Sequence, residues 1–394
     1  MDNPTRSAKP VVPLTPVKGS WEDLLYRGQQ LVATHNQEGS AILQDLIDRL
    51  AKMPDASLSA GNHRLRNILL EAIDSLAPYL LYHQRYDEAL ASVELAERFA
   101  QPENIGPWRR YRAMALVQSG AVDEGFTLLR EAVRGESPKL WQMYVIEAIQ
   151  HGRLDLAEEG VNEAEHDVNR LSATSTDVNR IQQLRAMLGY CKAQLAAAQN
   201  RLDEASAWME YTLAQHKEYH ENLASFYLRL IECDHFAEAL KWAQRDQTHP
   251  MRSKFWQGYI RHHLGYAEEA ERLWRQIAKT DLAEEENIDL LEYVLAHYYL
   301  GDREGIGLRI TLDLMERSDH IPALHFYLAG LGWAIRGNDA SAHTNFQQAL
   351  ARTQALAMGH KLHTLWWRLC ADLIDGDALP QFAKYFDPPQ PDAS

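Results

Sequence analysis

Little in this sequence is set aside for catalysis. It holds no G-x-S-x-G, no Walker A motif, no G-x-G-x-x-G and no H-E-x-x-H, so the common hydrolase, nucleotide and zinc-protease signatures are missing. No run of about 18 apolar residues occurs, which excludes a membrane-spanning helix. The N-terminus, MDNPTRSAKPVVPLTPVKGS, lacks the apolar core of a signal peptide and reads as a disordered arm over residues 1–19. Cysteine is scarce too. Cys191, Cys233 and Cys370 are odd in number and far apart, which suits neither a disulfide framework nor a zinc site. They are expected to be small buried hydrophobes in a cytoplasmic protein. Basic charge is in deficit: 40 Lys and Arg stand against 55 Asp and Glu, a net charge of −15. Nothing concentrates enough cations to displace the counterions of a nucleic acid, so no nucleic-acid partner is expected.

What the chain does have is helical periodicity. It is 394 residues long, 46% apolar and 24% charged, enough for two or three globular domains or one long solenoid. Trp21–His35 and Ser40–Met53 carry apolar residues at helical spacing, separated by Gly39 and Ser40 and stopped by Pro54. They are read as an N-terminal helical pair over residues 20–60, a cap or a degenerate repeat. From Asn62 a helix-pair pattern recurs. A small residue suited to a helix crossing falls at Ala89, Gly125, Ala157, Ala205, Ala239 and Ala270, then Ile306 takes its place, then Ala342. Successive intervals are 36, 32, 48, 34, 31, 36 and 36. Local words recur with them: QRYDEAL, NRLDEAS, DHFAEAL and GYAEEAE each place a turn, an acidic residue and the crossing Ala in one order. The acidic side chain suits the positive end of the second helix.

The fullest instance lies in Ser318–Ala357. Gly330, Trp333, Gly337, Ala342, Phe346 and Ala349 follow one another at spacings of 3, 4, 5, 4 and 3. Gly330 would let two helices approach, Trp333 would fill the space beside it, and Gly337 would end the first helix. This pattern resembles the tetratricopeptide repeat (TPR), whose period is about 34 residues. The resemblance implies an all-α, right-handed α-solenoid of about eight TPR-like helix pairs over residues 61–357. Capping helices would flank it, the C-terminal ones in 358–386, followed by a disordered tail over 387–394. Two departures stand out. Ile306 should hold the helices of the seventh unit further apart. The interval of 48 contains DVNRLSATSTDVNR, whose polar and β-branched stretch Ser172–Thr176 should break the helix and is a candidate hinge or domain boundary.

The resemblance also implies a binding face. In TPR proteins the first helix of each pair lines a concave groove. Counting from each turn makes Arg110, Tyr190, Phe255, Tyr259, His262, Tyr298 and Tyr327 the groove-facing, partner-binding candidates. The rings at Phe255, Tyr259, Tyr298 and Tyr327 should form one exposed stripe. The segment Asp281–Glu286, DLAEEE, would favour a protein or peptide partner that is basic as well as apolar. The final helix, Lys361–Ile374, should cover the apolar face left by the last unit. His216 and His220 at i, i+4 have a spacing that can hold Zn²⁺, as do His360 and His363 at i, i+3, but polar connections explain them better, and no metal or cofactor is expected.

The first reading is therefore a non-enzymatic scaffold or adaptor that holds a peptide or helix. The second is a regulatory sensor whose superhelix responds to a bound peptide or small molecule. The Lys, Arg and Asn set by which some TPR proteins grip a chaperone's C-terminal carboxylate is missing, since the first unit offers Asp74 and Pro78 and the second only Arg110. Trp21–Met53 is not basic enough to be a DNA-reading helix pair.

Overall fold

A computed structural model describes residues 18–33, 36–58, 63–101, 104–134, 138–281, 289–316, 323–355, 364–375 and 380–385. Residues 1–17 of the expected arm, 282–286 of the acidic segment, His360, His363 and the 387–394 tail lie outside the described residues. Among the described residues every regular element is helical and there is no strand. The chain forms two compact units, Met1–Ala115 and Leu116–Ser394.

In the first unit, α1 (Trp21–Val32) packs antiparallel to α2 (Gln37–Ala51). Ser20 caps α1 by accepting from the Asp23 amide at 3.2 Å, and Asn36 caps α2 by accepting from the Glu38 amide at 2.8 Å. Gly39 does not separate these helices, as the sequence suggested, but lies inside α2 against α1. A Cβ there would sit 2.6 Å from the Val32 nitrogen, so the crossing is closed by backbone against backbone. The short α3 (Asp55–Leu58) leads to α4 (His63–Tyr82) and α5 (Tyr86–Phe99), and Leu43, Leu46, Leu69, Ile73, Leu76 and Val93 make the core. Helix α6 (Gly106–Ser119) carries the boundary between the units, which therefore does not fall at the 172–176 break.

The second unit begins with α7 (Val122–Val133) and continues as α8 (Leu140–Gln150) with α9 (Leu154–Thr174), then α10 (Val178–Ala198) with α11 (Leu202–Gln215). The remaining pairs are α12 (Leu223–Glu232) with α13 (Phe236–Ala243), α14 (Pro250–His263) with α15 (Ala267–Ala278), α16 (Leu290–Tyr299) with α17 (Ile306–Glu316), and α18 (Ala323–Ile335) with α19 (Asp339–Ala355). First helices stack on first helices, α8 on α10, α10 on α12, α14 on α16 and α16 on α18. Second helices also reach the next first helix, as α7 does α8, α9 does α10, α13 does α14, α15 does α16 and α17 does α18. This is the nearest-neighbour stacking of a solenoid. The insertion is spent on length. Helices α9 and α10 are each 21 residues long and part at Ser175–Asp177, where Asp177 caps α10 through the Arg180 amide at 3.0 Å.

The turns within the pairs explain the repeat. Gln84, Gly120, Gly152, Asn200, Asp234, Gly265, Gly301 and Gly337 all have positive φ, between 59° and 105°. Each lies five residues before a crossing position, so they carry the same intervals as Ala89 to Ala342. The left-handed residue ends the first helix and turns the chain back, and the crossing residue then meets it one turn into the second. Ala89, Ala157, Ala205, Ala239, Ala270 and Ala342 are fully buried. Three turns manage without glycine, at a cost of roughly 1 kcal/mol each. Gln84→Gly, at φ 59°, is expected to raise the stability of the Met1–Ala115 unit by about 0.5–1 kcal/mol in chemical denaturation; a decrease would mean that the Gln84 side chain compensates for its backbone.

Unit seven solves its missing alanine differently. Helix α17 starts late, at Ile306, because the buried Asp302 accepts from the Ile306, Gly307 and Leu308 amides at 2.8, 3.3 and 3.3 Å. The small residue is then Gly307, where a Cβ would stand 2.7 Å from the Tyr298 ring. The expected wider gap at Ile306 is replaced by a shifted close approach.

Candidate functional site

After the last pair comes α20 (Thr364–Asp375), and it does not cover the end of the array. That task falls to the 3-10 helix Pro380–Tyr385, whose Phe382 and Tyr385 rings pack on Phe346 of α19 at 5.3 and 5.5 Å. Helix α20 instead lies across the first helices. It packs on α12 and α18, and side chains tie it to α14 and α16 between them.

The apolar side of α20 supplies the burial. Leu365, Leu369, Cys370, Ala371 and Ile374 join the core that runs from Tyr190 to Tyr385. Burial pushes the Cys370 thiol well above its ordinary range, as it does that of Cys191, which is raised to about 12, so both act as small hydrophobes. The polar side supplies direction. Arg368 donates to the Ile231 carbonyl at 3.4 Å, the end of α12, and to Asp234 at 2.6 Å in the turn that follows. One helical turn on, Asp372 accepts from the Tyr259 hydroxyl at 2.6 Å and pairs with His263 Nε2 at 3.1 Å, both from α14. Tyr299 of α16 donates to the Leu369 carbonyl at 3.3 Å. His263 is itself fixed, with its ring stacked on Phe236 at 4.7 Å and an interplanar angle of 4°. Burial opposes ionisation of Asp372, but the hydrogen bonds from His263 and Tyr259 outweigh it and hold the carboxyl below its usual range.

The predicted partner-binding residues distribute differently. Phe255, Tyr298 and Tyr327 are buried within their own pairs: Phe255 against Trp274 of α15, Tyr298 against Gly307 and Thr311 of α17, Tyr327 towards Phe346 of α19. Tyr190 is buried and accepts from Gln194 at 2.9 Å, with Tyr219 from the 3-10 helix Lys217–Asn222 beside it. The exposed aromatic stripe is therefore absent among these rings. The reason is visible in α16, where Glu292 to Tyr298 are buried on every side, so counting from the turn cannot select a free face. Tyr259 does point to the first-helix face, but α20 covers it. His262 is exposed and Arg110 half-buried. His216 and His220 do not share a helical face either, since α11 ends at Gln215 and His220 belongs to the 3-10 helix.

Sequence reading missed His263, Tyr299, Asp234, Arg368 and Asp372. A signal was present: Arg368 and Asp372 sit at i, i+4 beside Leu365 and Leu369, an oriented polar edge on an amphipathic helix.

Among the described residues no helix is long and apolar enough to cross a membrane. No protein-family model matches the chain, and no curated protein matches it. Among solved structures, a tetratricopeptide repeat protein from Parabacteroides merdae is similar over 71% of this chain and 98% of its own, at 12% identity and a TM-score of 0.42. The human IFIT1 dimer with PPP-AAAA is similar over 84% of this chain and 72% of that one, at 16% identity and a TM-score of 0.42. The class rests on the helix pairs themselves: this is an all-α array of TPR-like helix pairs.

Proposed function

We propose that the protein is a non-enzymatic adaptor that receives a helix of a protein partner on the face of α12, α14, α16 and α18. One observation supports this above the others. That face already holds a helix, α20, by apolar burial along its length and by polar contacts at both ends of a turn. A surface that accepts one amphipathic helix has the shape and the hydrogen-bonding groups to accept another. The partner is a protein or peptide, and no nucleic acid or membrane lipid is called for.

The test is selection of helical peptides from a displayed library on the full-length chain, followed by calorimetry. Selected peptides are measured on an Asp372→Ala chain, in which α20 no longer uses Tyr259 and His263, and are expected to bind it about tenfold more weakly once Tyr259→Phe or His263→Gln is added, the share of an interface anchor worth roughly 1–2 kcal/mol. The added changes should leave circular dichroism and thermal melting as in the Asp372→Ala chain. Peptides that bind as well with either added change as without it would place the receptor face elsewhere.

A further inference from the structure

We infer that α20 is an internal stand-in for the partner, so that the partner is an amphipathic helix carrying the same face and competes with α20 for it. The inference rests on the adaptor reading and names the partner's chemistry: leucine or a similar residue at one position and again four later, arginine just before the second, aspartate four after the arginine, and an apolar residue two beyond that.

Each element of this description has a counterpart across the contact. The two leucines answer to Leu365 and Leu369, the last apolar residue to Ile374, and all three are buried. The arginine answers to Arg368, whose target is a helix C-terminus, the Ile231 carbonyl, with Asp234 beside it. A cation is favoured at that end of a helix by its dipole as well as by the carboxylate. The aspartate answers to Asp372, held by a hydroxyl and an imidazole that both point away from their own helix pair. Cation and anion therefore fix the direction in which a helix lies across the four first helices. A helix laid the other way would put an aspartate beside Asp234.

Two features make α20 exchangeable rather than permanent. It belongs to no helix pair among the described residues, so lifting it leaves every repeat hairpin intact. Its polar hold is open to water: the Arg368 and Asp372 side chains are 25% and 27% exposed, and Asp234 is 70% exposed. Pairs of that kind hold weakly and are screened by salt. What keeps α20 in place is the tether. Only residues 356–363 separate α19 from α20 in the chain, and attachment through so few residues sets a local concentration on the order of millimolar. A free helix must overcome that concentration, which makes α20 a threshold on binding.

The experiment uses the full-length chain and a fluorescein-labelled peptide of residues 361–377 as probe, read by anisotropy. Arg368→Ala/Asp372→Ala, two changes confined to α20, is expected to bind the probe at least tenfold more tightly than the native chain. A probe in which the arginine and aspartate are both alanine should lose at least tenfold. Equal binding of the probe by native and doubly substituted chains, still weakened by Tyr259→Phe, would overturn the stand-in role and leave the adaptor reading standing. No binding by either chain would overturn both. Should the double variant unfold, the native chain decides. With excess unlabelled peptide, amides of residues 365–374 should exchange faster while those of α18 do not. Unchanged exchange in 365–374 would overturn the inference.

Discussion

Phe346→Ala is expected to destabilise the last repeat pairs by about 3–5 kcal/mol, the range for emptying a fully buried aromatic site. The ring is enclosed on all sides described: Gly330 of α18 beneath it, Tyr327 at 6.4 Å, and Phe382 and Tyr385 of the terminal 3-10 helix at 5.3 and 5.5 Å. The reciprocal change, Gly330→Ala, puts a Cβ 2.5 to 2.9 Å from three ring atoms that have no room to withdraw. Alanine would gain roughly 1 kcal/mol of helix propensity, and overpacking costs about 1–3 kcal/mol, so packing sets the sign. The two changes should not add. An alanine methyl at 330 partly fills the space left at 346, so the double variant should be less destabilised than the sum by about 1 kcal/mol or more. Native-state hydrogen exchange is the measurement, because repeats lose protection locally. Protection lost evenly from α7 to α19, or strict additivity, would contradict this packing.

The motif that contains Gly330 and Phe346 shows how far the sequence can be read. Gly330, Gly337, Ala342 and Phe346 interact within one hairpin, at separations of a few turns, so their spacing encodes their contact. The recurring left-handed turn residue is equally local, and with it the number and order of the pairs. In unit seven the small residue does not stand at the position its spacing predicts. Asp302 delays the helix and Gly307 takes over, a substitution only visible once the capping contacts are known. The binding face was less legible for two physical reasons. First helices in a stack are buried on most sides, as in α16, so amphipathic counting loses its meaning there. The position of α20 also depends on contacts such as Tyr259 with Asp372, 113 residues apart in the chain. No spacing rule reaches that far. What the sequence did contain was the composition of α20, an amphipathic helix left over after the last pair.

Between about pH 4.5 and pH 7 the Leu116–Ser394 unit is expected to lose stability as pH rises, through Glu147 of α8 and Glu292 of α16. Burial raises both carboxyls to about 7 from an ordinary 4.5. The His151 imidazole nitrogen is 3.9 Å from the Glu147 carboxylate and 2.9 Å from the Glu147 backbone carbonyl, which it prefers. Glu292 accepts from the Trp256 indole at 3.4 Å and has Arg252 nearby, but Asp289 adds to the effect of burial and the carboxyl stays high. In this window the folded chain binds more protons than the unfolded one, so stability falls with rising pH and the loss is complete above about pH 7. A pKa of about 7 against 4.5 corresponds to about 3 kcal/mol for each group. Histidines work in the opposite sense. Burial lowers His297 and His325, so they contribute stability that is lost as pH falls below about 6.5. The glutamates are isolated by difference. Glu147→Gln and Glu292→Gln keep the shape of the protonated acid and remove the charge. Each variant should match the native chain at pH 4 and exceed it by about 2–3 kcal/mol at pH 8, in chemical denaturation followed at both pH values. A variant less stable than the native chain at pH 8 would show that its carboxylate is ionised and satisfied in the folded protein, and the buried-acid assignment for that residue would fall.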